Sequence, residues 1–157
     1  MMSAALRPSV PPPARDVSYR FTGPNLPGLA ALARHWVVDL LRQSGWAFLV
    51  DRAELCTSEL VTNAHQHTAS PLITIEVSFA ASSVTVCVHD TAPSNTPQIR
   101  PTWAAPYALT CEGRGLGLVS VLADEWSAVC DETSKSVWFT LNAPPGGEQP
   151  CAPDRRR

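Results

Sequence analysis

The sequence predicts an α+β protein, a two-layer sandwich in which a mixed, largely antiparallel sheet carries helices on one face. Three observations predict it. Alternating apolar and polar residues come in pairs of short runs joined by tight turns, which is the pattern of consecutive antiparallel strands. Two stretches with apolar residues at a period near 3.6 stand together ahead of the first pair. The 157 residues, 45% hydrophobic and 17% charged, suit one domain with a real core and are too few for two ordinary ones.

The elements follow in order. Val17 to Thr22 alternates and is closed by Gly23-Pro24, which reads as an edge strand. From Leu26, the positions Leu29, Leu32, Ala33, Trp36, Val37, Leu40 and Leu41 form one helical stripe, with Gly45 as its stop. A second helix runs from about Val50 to His67, with Pro71 beyond its end. Leu72 to Phe79 and Val84 to Val88 make a hairpin. Thr91 to Glu112 is irregular, with Pro93, Pro97, Pro101 and Pro106, and a loop of that length in a compact domain is usually functional. Leu116 to Trp126 has helical spacing, and short strands follow around Ala128-Val129-Cys130 and from Ser136 to Leu141. Proline-rich ends set off residues 1–15 and 143–157 as poorly ordered tails around a folded unit of 16–142.

Composition removes several classes of function. A net charge of -2 gives no cationic field for a phosphate backbone, so no direct nucleic-acid partner is expected. No apolar run reaches the roughly 18–20 residues that cross a bilayer, and Met1 to Pro13 lacks the apolar core of a leader; the expectation is a cytoplasmic protein with no membrane association. Cys56, Cys87, Cys111, Cys130 and Cys151 form no C-x-x-C pair, and an odd number argues for reduced, structural thiols. His65 and His67 lie two apart on a helix, where side chains diverge too far to share a metal. Trp36, Trp46, Trp126 and Trp138 fall at apolar-face positions that suit core packing; Trp103, in the long loop, does not.

Three groups of residues could carry chemistry. Glu59 and Asn63 are four apart on the second helix, so both emerge on one face a turn from each other. An amide oxygen and a carboxylate in that relation could hold Mg²⁺, which takes few protein ligands, or the carboxylate could act as a general base; a solvated helix face has the same spacing. Asp90 ends an apolar strand beside the long loop, where it could accept a hydrogen bond from an exocyclic amine such as that of adenine or simply open a turn. Gly113, Gly115 and Gly117 alternate around Arg114 directly before a helix, which lets backbone N–H groups approach a phosphate. The spelling is neither a P-loop nor the G-x-G-x-x-G of dinucleotide enzymes, and no good strand precedes it.

Taken in order, Ser58 to Ala64 with His67, Val86 to Asp90, and Glu112 to Leu118 resemble the asparagine box and glycine boxes of the Bergerat-fold, histidine-kinase-like ATPases. Within that superfamily the strand-first start, the phrase from Glu59 to Ala64 and the ending Ser136-Val137-Trp138-Phe139 are most similar to the anti-sigma-factor serine/threonine kinases and their actinobacterial relatives. The resemblance spans about Val17 to Leu141 and implies ATP and Mg²⁺ as cofactors. It implies Glu59 as catalytic base and Asn63 as Mg²⁺ ligand, with ATP contacts from Asn63, His67, Asp90, Ala92, Gly113, Arg114, Gly115, Leu116, Gly117 and Leu118. Residues from about 94 to 112 correspond to an ATP lid. The chain departs from the family in two places. Asp90-Thr91-Ala92-Pro93-Ser94 stands where D-x-G-x-G is usual, and Lys135, followed by Ser136, stands where a threonine near adenine is usual.

The resemblance implies a serine protein kinase and anti-sigma factor that phosphorylates an anti-anti-sigma partner, with a sigma factor as second partner and a homodimer as its assembly. A non-catalytic, ATP-sensing interaction module is the alternative, and Glu59 is the residue that separates the two. A dinucleotide-binding oxidoreductase ranks behind both.

Overall fold

The computed structural model describes residues 17–91, 111–130 and 133–145, apart from the side chains of residues 111–115 and Cys130. The elements run β1 (Val17–Pro24), α1 (Leu29–Gln43), α2 (Val50–His67), β2 (Leu72–Phe79), β3 (Ser83–Asp90), α3 (Cys111–Leu122), β4 (Glu125–Cys130) and β5 (Lys135–Asn142). A 3₁₀ turn, Ala47–Leu49, leads into α2. The five strands form one sheet in the order β1-β2-β3-β5-β4, with every neighbouring pair antiparallel. β1 is an edge strand, as its sequence predicts.

Strand alternation sorts the sheet into two faces. Ile73, Ile75 and Val77 of β2, Val84, Val86 and Val88 of β3, and Val137, Phe139 and Leu141 of β5 point to the helical layer, where they meet Val37, Leu41, Ala53, Cys56, Leu60, Val61, Leu116 and Val119 in one core. Each large apolar side chain fully buried there contributes about 1.5–3 kcal/mol. The opposite face is polar and cross-linked between strands. Arg20 Nε donates to Glu76 at 2.7 Å, Thr85 and Thr140 share a hydrogen bond of 2.8 Å, and His89 Nδ1 lies 2.7 Å from Ser136 Oγ. Trp138 belongs to that face: it is buried but alternates away from the core, contrary to its expected place on the apolar side.

Local signals explain the boundaries. Gly45, at φ 81, ends α1 in a left-handed cap, with Trp46 N–H donating to the Leu41 carbonyl at 2.8 Å and Gly45 N–H to that of Arg42 at 3.4 Å. α3 departs from expectation at both ends. It begins at Cys111, so the glycines stand within its first turns rather than ahead of it, and it ends at Leu122 rather than Trp126. Its end is fixed from outside: Arg52 donates to the Leu122 carbonyl at 3.1 Å and lies 3.5 Å from the Asp124 carboxylate. Asp124 in turn accepts from the Asn142 N–H at 2.7 Å. Trp126 opens β4 opposite Phe139 and packs against the core; from a strand it reaches the same interior that a continued helical stripe would have faced.

The tail expected at 1–15, residues 146–157 of the one expected at 143–157, and most of the expected lid lie outside the described residues; Ala143, assigned to the second tail, instead donates its N–H to the Ser82 carbonyl at 2.8 Å and packs against the core. No helix among the described residues is long and apolar enough to cross a membrane.

Candidate functional site

The connections of the fold bring one end of each helix to one end of the sheet. β2 begins where β3 ends, and β5 begins beside that point, because Ile73 pairs with Asp90 and Asp90 with Lys135. α2 finishes at His67, with four residues between it and the start of β2 at Leu72, and so delivers its C-terminal half to the same place. α3 runs the opposite way: its C-terminus meets Arg52 in the first turn of α2, and Asp124 meets β5 at Thr140 and Asn142, the far end of the sheet. With α2 about 27 Å long and α3 about 18 Å, the first turns of α3 stand beside the later half of α2. Glu59, Asn63, Asp90 and the glycine run therefore converge on one end of the domain. The chain leaves the described part at Thr91 and returns at Cys111, both at this end.

Asn63 is buried at 8% exposure, on the stripe that carries Leu60 and Ala64 into the interior, while Glu59, one turn earlier, is half-buried. Its neighbour Cys56 is fully buried, and burial pushes the thiol up to about 11; the cation of Arg52 opposes the shift and the carboxylate of Glu59 adds to it. Cys56 and Cys87 are buried thiols, as expected. His67 is half-buried at the last residue of α2. His65 is held through Nδ1 by Asn25 Oδ1, and Asn25 Nδ2 donates to the Ser70 carbonyl at 2.8 Å, so this histidine fastens the start of α1 to the end of α2.

A residue that the sequence did not single out anchors the strand end. Ser70, 1% exposed, donates through Oγ to the Leu72 carbonyl at 2.6 Å and lies 3.3 Å from Thr91 Oγ1; it also accepts from the Thr91 N–H at 3.4 Å. The exit of β3 just past Asp90 is thereby tied to the end of α2. The signal in the sequence was a serine before Pro71, a common turn pattern with nothing to mark it as special.

In α3, Leu116 is buried in the core and Leu118 is half-buried, so what Leu116 can offer a ligand is its backbone. Gly117 tests the fit to a phosphate group. A Cβ built there meets nothing within 4 Å among the described residues, so no crowding by them demands glycine. Glycine inside a helix nonetheless costs about 0.8–1.0 kcal/mol relative to alanine. Gly117 is the seventh residue of α3, so its own N–H lies inside the helical ladder, and the open space over it leaves room for an anion drawn to the N-terminal turns that hold Gly113 and Gly115. Asn63 and Glu59 are the residues that could supply the one or two protein oxygens Mg²⁺ takes when phosphates and water complete its shell. The residues present fit Mg-ATP. Ala92 lies outside the described residues, as do the side chains of Gly113, Arg114 and Gly115.

An antiparallel five-stranded sheet with helices on one face, and an asparagine-bearing helix beside a glycine-bearing one at its end, define the class: a Bergerat-type ATP-binding fold. Residues 23–141 match the family profile described as histidine kinase-like ATPase domain, and the chain belongs to that family. Among solved structures it is similar to the RsbU and RsbW domains of Rv1364c from Mycobacterium tuberculosis, with 16% identity and a TM-score of 0.52. The match covers 80% of this chain and 32% of that one, so the likeness is one of fold and the chain spans about a third of that protein's length. No curated protein matches the chain.

Proposed function

We propose that this domain binds Mg-ATP at the end of its sheet and uses it as a serine protein kinase that regulates a transcription factor, with an anti-anti-sigma protein as substrate and a sigma factor as second partner. The observation that carries the reading is the convergence of Glu59 and Asn63 on α2 with the glycine run of α3 at the Asp90 end of the sheet. Family membership over 23–141 supports the nucleotide. The partners rest on the likeness of the motifs to anti-sigma-factor kinases.

ATP would supply the phosphoryl group, and Mg²⁺ would offset the charge on its oxygens. The chain's own residues bind and orient. Asn63 offers an amide oxygen to the metal, and the open backbone at Gly117 offers close approach to phosphate. Asp90 accepts from the exocyclic amine of the base, and Glu59, half-buried within reach of solvent, takes the proton from an incoming serine hydroxyl.

The test is transfer of labelled phosphate from ATP to candidate anti-anti-sigma proteins, comparing wild type with Glu59→Ala and Asn63→Ala. Transfer by the wild type that disappears in the Glu59 variant is the expected result. ATP binding without transfer to any candidate would instead favour a non-catalytic, ATP-sensing interaction module.

A further inference from the structure

The sheet face turned away from the helices is buried, although no described element covers it. Ser78, Thr85, Cys87, Thr140, Glu76 and Trp138 share that face by strand register and are each between 2% and 9% exposed, while α1, α2 and α3 all pack on the other side. Neighbours within the sheet cannot account for Trp138. It is flanked by Cys87 and Ser127 across the strands and by Ser136 and Thr140 along its own, all too small to shield an aromatic side chain that buries about 150–250 Å². Its indole N–H has no acceptor among the described residues. Something therefore lies over this face, and the pattern of exposure says where. The cover is closest over β2, β3 and β5 at the end that holds Ser78, Thr85 and Thr140. It thins toward the Asp90 end, where Thr74, His89 and Ser136 are half-buried and Leu72 is exposed, and it stops short of β1, whose Ser18, Arg20 and Thr22 are exposed.

We infer that residues 146–157 fold back over this outer face and are its cover, with Trp138 as the anchor beneath them. β5 leaves the sheet at the covered end, because Asn142 pairs with Ser83 and the Ala143 N–H donates to the Ser82 carbonyl at 2.8 Å. Pro144 and Pro145 have no N–H with which to extend that ladder. The chain turns at Pro145, and Gly146-Gly147 follows, which allows it to reverse. Trp138 lies four residues back along β5, about 14 Å, and the 12 residues from 146 to 157 reach about 40 Å when extended. The segment brings Arg155, Arg156 and Arg157 to a face whose buried charge is the carboxylate of Glu76, paired with an Arg20 side chain that is itself 70% exposed. A backbone carbonyl of the returning segment gives the indole N–H its acceptor. Residues 1–16, by contrast, join the sheet at its edge strand and would have to cross the exposed outward side of β1 to reach Trp138.

Alkylation of Cys87, 4% exposed beneath the cover, tests this in the native protein, with the modified thiol identified by peptide mass mapping. The full chain carrying Gly146→Pro and Gly147→Pro keeps every other residue but loses the freedom to reverse there, and a chain ending at Pro145 lacks the segment altogether. Cys87 should react at least tenfold faster in both, with circular dichroism showing each folded. A chain beginning at Asp16 should react as slowly as the wild type. Protection of Cys87 that survives in both C-terminal variants would overturn the inference. So would protection lost only on removal of residues 1–15, which would make that segment the cover, or protection in the wild type that fades on dilution, which would make the cover a second copy of the chain.

Discussion

Gly117→Ala should make the protein more stable and a worse ligand for ATP. The two effects have separate causes in the structure. Gly117 lies in the middle of α3, and an added Cβ meets nothing within 4 Å among the described residues. The substitution therefore gains the difference in helix propensity, about 0.8–1.0 kcal/mol, without a clash to offset it. For a protein of this size that raises the melting temperature by roughly 2–4 °C. Once a phosphate approaches the same backbone, the methyl group occupies the open space that made approach possible, and affinity should fall at least tenfold, about 1.4 kcal/mol. Thermal melts followed by circular dichroism, with and without Mg-ATP, measure both: the variant should melt higher without nucleotide and gain less from adding it. A lower melting temperature without nucleotide would refute the helical, uncrowded placement of Gly117, and an undiminished shift with Mg-ATP would refute its place at the phosphates.

Other outcomes follow from single residues. Gly45→Ala forces a Cβ into a left-handed cap at φ 81 and should cost about 1–2 kcal/mol in urea denaturation. Cys56 should resist alkylation in the native state at pH 8, because burial holds its thiol protonated up to about 11. Its folded value lies above the unfolded one, so its contribution is fully present below pH 9 and is lost as pH rises toward 11; over that window unfolding experiments should show a fall of about 2–3 kcal/mol, which Cys56→Ala removes. Ser70→Ala breaks the tie between the end of α2 and the exit of β3 and should destabilise by roughly 1–3 kcal/mol, with hydrogen exchange at Thr91 accelerated.

Much of this molecule was legible in its sequence, for physical reasons that differ by element. Val50 to His67 is bounded as expected because its apolar stripe is long and Pro71 closes it, and the hairpin of β2 and β3 follows from alternation around a short polar turn. The start of α3 was not legible, since three glycines in five residues argue against helix by propensity, and burial of Leu116 and Val119 against the sheet overrides it. Its end was hidden because Trp126 satisfies a helical and a strand pattern alike. Glu59, Asn63, Asp90 and Gly117 are brought to one end of the sheet, but the partnership of Asp90 with Lys135 depends on the register of strands 45 positions apart in the chain, which no local pattern encodes.

The central claim is a Mg-ATP site built from α2, α3 and the end of β3, and its most direct test is titration of the protein with ATP up to millimolar concentrations, with and without Mg²⁺. The account predicts saturable binding that strengthens with Mg²⁺ in the wild type and loses that Mg²⁺ dependence in Asn63→Ala, with both proteins folded by circular dichroism. Failure of ATP to bind the wild type at millimolar nucleotide would contradict it.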